Sequence, residues 1–339
     1  AAPTASGKTE AAVAPLYQRH VSFRRGALST VYVAPTKALV NDLYERLLTY
    51  LEIKHPGIIA RYTGDRHEYT CAEGAFCLVV TPEALDSLQL RHPELLHSVR
   101  SVVIDEIHLL HGQARGQQLR HVISRIRSAA TQPRSQRDTF QIVGMTATLD
   151  DMPRVATLWL GEDAVVLSNG TPREIDLELV DVVVEEPGQA DRAKAQQLAH
   201  WLKSSGAEKV LVFTNSRNCA HAVAAHLHEE LAGTRWPVHL HFGALPAAQR
   251  EWVEEQMRAD RFGICVATST LEIGIDIGNI DAVVLAEMPR SVNAFLQRIG
   301  RGNRRTGACK VIGFRSSDDD EQMLQALLDC GRRGDLDDV

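Results

Sequence analysis

Short runs of branched apolar residues, spaced by longer amphipathic stretches, constrain this chain more than any other feature. Thr30–Ala34, Cys77–Val80, Ser101–Ile104 and Gln141–Gly144 read as strands, with helix-like stretches such as Lys37–Leu51 and Gly116–Ala129 between them. That alternation is the signature of a parallel α/β fold. It pauses at Ser168–Pro172, where Ser-Asn-Gly-Thr-Pro has loop chemistry. It resumes with Val210–Phe213, Val238–His241, Ile264–Ala267 and Ala282–Ala286. The 339 residues suffice for two ordinary domains. The reading is therefore two α/β units of similar size, residues 1–170 and 171–339, joined near residues 168–190. The second ends in an acidic tail from Asp318 that contains a helix-like stretch, Glu321–Leu328.

Composition excludes more than it assigns. Apolar residues make up 44% and charged residues 24%, as in globular proteins, and runs such as Ala282–Ala286 are far too short for a membrane span. Cysteines stand at 71, 77, 219, 265, 309 and 330, with no CxxC pair. Neither a zinc site nor a disulfide framework is suggested, and a reducing cytoplasm is the expected compartment. The net charge of −6 looks wrong for a nucleic-acid binder. Its distribution matters more: residues 1–165 hold 18 Lys/Arg against 17 Asp/Glu, so the deficit lies in the second half. A local groove can still hold phosphates through backbone N–H groups and a few basic side chains.

Two motifs carry chemistry. Ala2-Pro3-Thr4-Ala5-Ser6-Gly7-Lys8-Thr9 fits a phosphate loop. Triphosphate oxygens need a nest of N–H groups at a helix N-terminus, a close turn at Gly7, a cation from Lys8 and a hydroxyl from Thr9 for Mg²⁺. The helix that follows is expected to be perturbed at Pro15. The strand that normally precedes such a loop is not in the sequence, so a fragment of a longer protein is expected. Ser101–Ile104 then delivers Asp105-Glu106-Ile107-His108 at a strand end, where α/β ligands sit. Asp105 can hold Mg²⁺ and Glu106 can orient or deprotonate an attacking water.

These motifs together resemble the superfamily 2 helicases of DExH type. The remaining motifs of that family follow in order: Ala34-Pro35-Thr36-Lys37, Tyr62-Thr63-Gly64-Asp65, Thr81-Pro82-Glu83 and Met145-Thr146-Ala147-Thr148. The second half has Val212-Phe213-Thr214-Asn215-Ser216, His241-Phe242-Gly243, Ala267–Asp276 and Gln297–Arg305. Leu-Glu-Ile-Gly-Ile-Asp and Gln-Arg-Ile-Gly-Arg look most like the Lhr (large helicase-related) group. Asp-Glu-Ile-His with Arg115-Gly116 adds Ski-type features.

The resemblance implies two tandem RecA-like P-loop NTPase domains, each a mainly parallel sheet flanked by helices, with ATP and Mg²⁺ as cofactors. It implies nucleotide contacts from Pro3, Thr4, Ala5, Ser6, Gly7, Lys8, Thr9, Gly274 and Asp276, and Mg²⁺ ligation by Thr9 and Asp105. Glu106, Gln297, Arg301 and Arg304 would serve catalysis, the two arginines as fingers on the γ-phosphate. Pro35, Thr36, Lys37, Gly64, Thr81 and Pro82 would hold the nucleic-acid strand from the first unit, and Thr214, Asn215, Arg217 and Thr268 from the second. His108, Thr146 and Thr148 would couple ATP state to strand grip. The implied activity is ATP-driven movement along single-stranded or partly duplex nucleic acid, DNA favoured over RNA, 3′ to 5′. A clamp or remodeller that hydrolyses ATP without separating strands is the alternative. No membrane partner is implied, and there is room for further domains or protein partners outside this chain.

Overall fold

The computed structural model describes the chain apart from residues 1–6, 24–26, 52–57, 67–73, 131–138, 147–150, 169–173, 185–187, 274, 303–307 and 334–339. The chain divides into two units, Ala1–Gly170 and Thr171–Asp338. Every described strand pairing in both is parallel. Parallel strands need crossovers that put helices on the sheet faces, which is why the strands read as continuous apolar runs. Among the described residues no helix is long and apolar enough to cross a membrane.

The first unit holds β1 (Thr30–Val33), β2 (Ile59–Tyr62), β3 (Cys77–Val80), β4 (Ser101–Ile104) and β5 (Gln141–Gly144) in the order β2-β3-β1-β4-β5. Its helices are α1 (Lys8–Phe23), α2 (Lys37–Leu51), α3 (Pro82–Arg91), α4 (Ala114–Ala129) and α5 (Met152–Leu160). Alternate strand residues Val31, Val33, Leu78, Val80, Val102 and Ile104 join Leu85 and Leu88 of α3 and Leu119, Val122 and Ile126 of α4 in one core. Val33 lies opposite both Val80 and Ile104, Tyr62 opposite Val80, and Ile104 opposite Gly144. The strands therefore end in line. Thr63, Thr81, Ala34, Asp105 and Met145 are the first residues past that edge, where ligands of open parallel sheets collect.

The second unit holds β6 (Glu174–Asp181), β7 (Lys209–Phe213), β8 (Val238–His241), β9 (Gly263–Ala267), β10 (Ala282–Leu285) and β11 (Ala308–Arg315) in the order β6-β11-β10-β7-β9-β8. Helices α6 (Ala190–Ser205), α7 (Arg217–Glu230), α8 (Ala247–Ala259), α9 (Val292–Ile299) and α10 (Asp318–Arg333) accompany it. Phe213 pairs with Ala267 and Leu285, so Thr214 and Thr268 leave the same edge side by side.

Two readings of the sequence change. Pro15 does not end or divide α1, which runs on to Phe23. Both Pro15 and Ala11 are exposed, so the carbonyl that loses an amide partner lies on the solvent side of the helix. The segment read as a join between units contains β6, an edge strand paired along its whole length with β11.

Candidate functional site

Gly7 adopts φ +79°, a conformation that side-chain-bearing residues rarely take, and α1 starts at the next residue. Lys8 and Thr9 thus form the first turn of a helix, where free N–H groups face an anion. Pro3, Thr4, Ala5 and Ser6 lie outside the described residues. Asp105 continues the sheet ladder through its N–H to Val33 O at 2.9 Å. Its Oδ2 accepts from the Tyr32 hydroxyl at 2.9 Å and its Oδ1 from the Glu106 N–H at 2.9 Å. Burial and the adjacent Glu106 charge push the Asp105 carboxyl up to about 7, against the opposing pull of the Tyr32 hydrogen bond and Lys8.

Glu106 is buried and left-handed, at φ 46° and ψ 53°. A non-glycine residue held there costs on the order of 1–2 kcal/mol. The hydrogen bonds Ile107 N–H to Met145 O (3.0 Å) and Leu109 N–H to Glu106 O (2.9 Å) brace it on both sides. Among the described residues Glu106 Oε2 is buried without a hydrogen-bond partner, although His108 Nδ1 stands 3.4 Å away. The same Nδ1 is 3.2 Å from Thr146 Oγ1, so the structure brings His108 and Thr146 together; Thr148 lies outside the described residues. Burial lowers the His108 pKa and favours the neutral ring.

A divalent cation suits this pocket. Among the described residues the carboxylates of Asp105 and Glu106 stand near the charge of Lys8, the buried Glu106 Oε2 lacks a donor, and Thr9 brings a hydroxyl close to Tyr32, which donates to Asp105. Among the described residues no cluster of three or more His, Cys, Asp or Glu could hold a metal alone. Mg²⁺ fits that pattern, since it is bound through one or two carboxylates plus water and phosphate oxygens.

The second cluster of the first unit is a groove of about 610 Å³ lined by Pro35, Thr36, Lys37, Gly64 and Thr81, together with Tyr62, Glu83, Ala84, Ser87, Arg91 and Arg115. It opens on the N-termini of α2 and α3. Thr36 Oγ1 accepts from Leu39 N–H at 3.3 Å and Thr81 Oγ1 from Ala84 N–H at 3.4 Å. Helix N-termini favour phosphate oxygens. Pro82 is the buried first residue of α3 and does not line the groove. Lys37 pairs with Asp65 at 2.7 Å on the surface. Arg115 ties the groove's two sides, donating to Pro35 O at 2.7 Å and to Glu83 Oε1 at 3.1 Å. Sequence reasoning missed Arg91 and the placement of Arg115, because both come from helices outside the strand-end motifs.

In the second unit several expected contacts turn inward. Thr214 is fully buried and donates to Ser216 O (3.2 Å) and Ala267 O (3.4 Å) rather than facing a strand. Asn215 donates through Nδ2 to Met288 O at 2.7 Å and accepts from Arg298 Nη2 at 2.8 Å. Arg298 also donates to Glu272 Oε1 at 2.7 Å. Arg301, 1% exposed, donates to Glu272 O (2.8 Å) and Ile275 O (3.3 Å). Its guanidinium is thereby tied to the main-chain carbonyls of Glu272 and Ile275. Arg304 and Gly274 lie outside the described residues. Arg217 is exposed at the start of α7, Thr268 and Gln297 are half-buried, and Asp276 accepts from the Gly278 N–H at 3.1 Å.

Residues 1–155 match the family described as DEAD/DEAH box helicase, and residues 193–306 match the helicase conserved C-terminal domain. ATP-dependent helicase Lhr-Core protein 2 of Thermococcus barophilus is 31% identical over 341 residues, covering 89% of this chain and 38% of that protein. The chain belongs to the superfamily 2 helicases and is Lhr-like. Its two sheets are the two RecA-like domains of that fold. The structure of Mycobacterium smegmatis helicase Lhr bound to ssDNA and AMP-PNP superposes on this Lhr-like chain with TM-score 0.83 at 27% identity, over 100% of this chain and 46% of the other. DUF1998 helicase MrfA bound to DNA shares the fold at TM-score 0.80 and 23% identity, over 97% and 46%. The chain spans less than half the length of these relatives.

Proposed function

We propose that this chain is an ATP-hydrolysing motor that moves along single-stranded nucleic acid, DNA in preference to RNA, in the 3′ to 5′ direction. The observation that carries the reading is the first unit's strand-end edge. It holds a nucleotide pocket built on Lys8, Thr9, Asp105 and Glu106, and a separate groove built on Thr36, Lys37 and Thr81. A motor needs both, and His108 with Thr146 offers a route from the first towards the strand. DNA as the track is supported by the mycobacterial relative, whose structure was solved with single-stranded DNA.

In this reading residues 1–170 form the ATP-binding domain and 171–339 the C-terminal helicase domain. Lys8 holds the β- and γ-phosphates, and Glu106 positions the attacking water and takes its proton. Thr9 and Asp105 would hold Mg²⁺, which would supply positive charge to the phosphate oxygens. Arg304 acts as the finger on the γ-phosphate, while Arg301 donates to the Glu272 and Ile275 carbonyls. The strand is gripped at its phosphates by Thr36, Lys37, Thr81, Arg217 and Thr268, whose hydroxyls, amides and cations read no base. Thr214 and Asn215 shape that edge without touching the strand.

The test is ATP hydrolysis by the chain with and without single-stranded DNA or RNA at matched salt. Stimulation by DNA at least severalfold above RNA is the expected result. Glu106→Gln should lose turnover at least about 100-fold, as general bases do, while still binding ATP. Hydrolysis indifferent to both polymers, or normal turnover by Glu106→Gln, would overturn the reading.

A further inference from the structure

Tyr32 is the odd residue of the central strand β1. Its neighbours Val31 and Val33 face the apolar core, whereas Tyr32, one step along the pleat, is equally buried on the other face. Phe would fill the same space, so the phenolic oxygen is the informative part. A buried hydroxyl is costly unless its hydrogen-bonding capacity is met. Tyr32 spends its hydrogen on one particular group, donating to Asp105 Oδ2 at 2.9 Å, and the Thr9 side chain lies within interaction range of the same hydroxyl. Register explains the reach. Tyr32 pairs with Val103 across β1 and β4, and Asp105 is two residues beyond Val103 on the same face.

We infer that Tyr32 is a positioning residue for the cation site, setting Thr9 and Asp105 with one hydroxyl. The inference rests on the reading of that pocket as an ATP–Mg²⁺ site. A hydroxyl that ligates a cation must turn its own hydrogen away from it. The Tyr32 oxygen is the acceptor that receives the Thr9 hydrogen, and the Tyr32 hydrogen passes in turn to Asp105 Oδ2. The relay runs Thr9 to Tyr32 to Asp105. It leaves a lone pair of Thr9 and the remaining lone pairs of Asp105 aimed into the pocket, while the Glu106 N–H fixes the other carboxylate oxygen. Outer partners of this kind usually change metal affinity 10- to 100-fold when removed.

The test uses the full chain and a fluorescent ADP, titrated with Mg²⁺ and repeated in EDTA. Tyr32→Phe should raise the Mg²⁺ concentration for half-maximal nucleotide binding about 10-fold while leaving binding in EDTA unchanged, with saturating Mg²⁺ restoring the wild-type level. An unaltered Mg²⁺ midpoint, or an equal loss with and without the metal, overturns the inference and assigns the hydroxyl to packing alone. If Tyr32→Phe does not fold, 3-fluorotyrosine at position 32 preserves the shape. Its ¹⁹F resonance should then shift when Mg²⁺ is added to the ADP complex, and a resonance that ignores the metal overturns the inference. A wild-type chain that binds no nucleotide under any condition would overturn the ATP–Mg²⁺ reading itself.

Discussion

At the scale of single residues, two buried groups hold the chemistry in place by opposite means. Glu106 is held in a left-handed conformation between the hydrogen bonds that brace it on both sides. Arg298 is held by attraction, with Glu272, Asn215 and the Glu287 carbonyl around one guanidinium. Removing one partner of a buried ion pair strands the other. Arg298→Ala should therefore cost about 3–5 kcal/mol, read as a shifted midpoint in urea unfolding, and a loss below about 1 kcal/mol would mean that water reaches Glu272. The Asp–Glu pair was legible in the sequence because an apolar run delivered it to a strand end. Tyr32 was not, because a tyrosine inside such a run looks like any other core aromatic until Asp105 is placed beside it. The inward turn of Asn215 and Arg301 was equally hidden, since a motif names residue types and not the direction of a side chain.

Among the elements, α4 shows how a single glycine sets a packing distance. A Cβ on Gly116 would lie 1.9 Å from Leu110 O, so the start of the helix can approach the turn after Glu106 only without a side chain there. Gly116→Ala should therefore lower the melting temperature despite its better helix propensity, by the equivalent of about 1–3 kcal/mol for overpacking. It should also weaken the Arg115 bridge to Pro35 and Glu83, and an unchanged melting temperature would show that α4 can slide. The central strands were readable because both their faces are covered and their residues are uniformly apolar. β6 was not: Glu174, Asp176, Glu178 and Asp181 interrupt it at a half-exposed sheet edge, and only its pairing with β11 reveals a strand. Pro15 misled for a related reason, since sequence alone does not say which face of α1 meets water.

For the whole molecule, the tension is between a net charge of −6 and a groove proposed to hold a polyanion. The groove resolves it locally, with Lys37, Arg91 and Arg115 against the single acid Glu83 along its lining. Strand affinity should then fall steeply with salt, by at least tenfold between 50 and 200 mM if three or more phosphates are contacted. Basal hydrolysis without nucleic acid should change far less over the same range. Fluorescence anisotropy with a labelled oligonucleotide tests this, and a flat response would place the contacts on uncharged groups. The common finishing line of the first sheet also makes its far side useful for handling the protein. Among the described residues, the turns that enter those strands carry none of the motif side chains, and His97, exposed just before β4, is one such position. A dye or surface tether attached there would leave the nucleotide pocket and the groove unobstructed, so single molecules could be held and watched while they work.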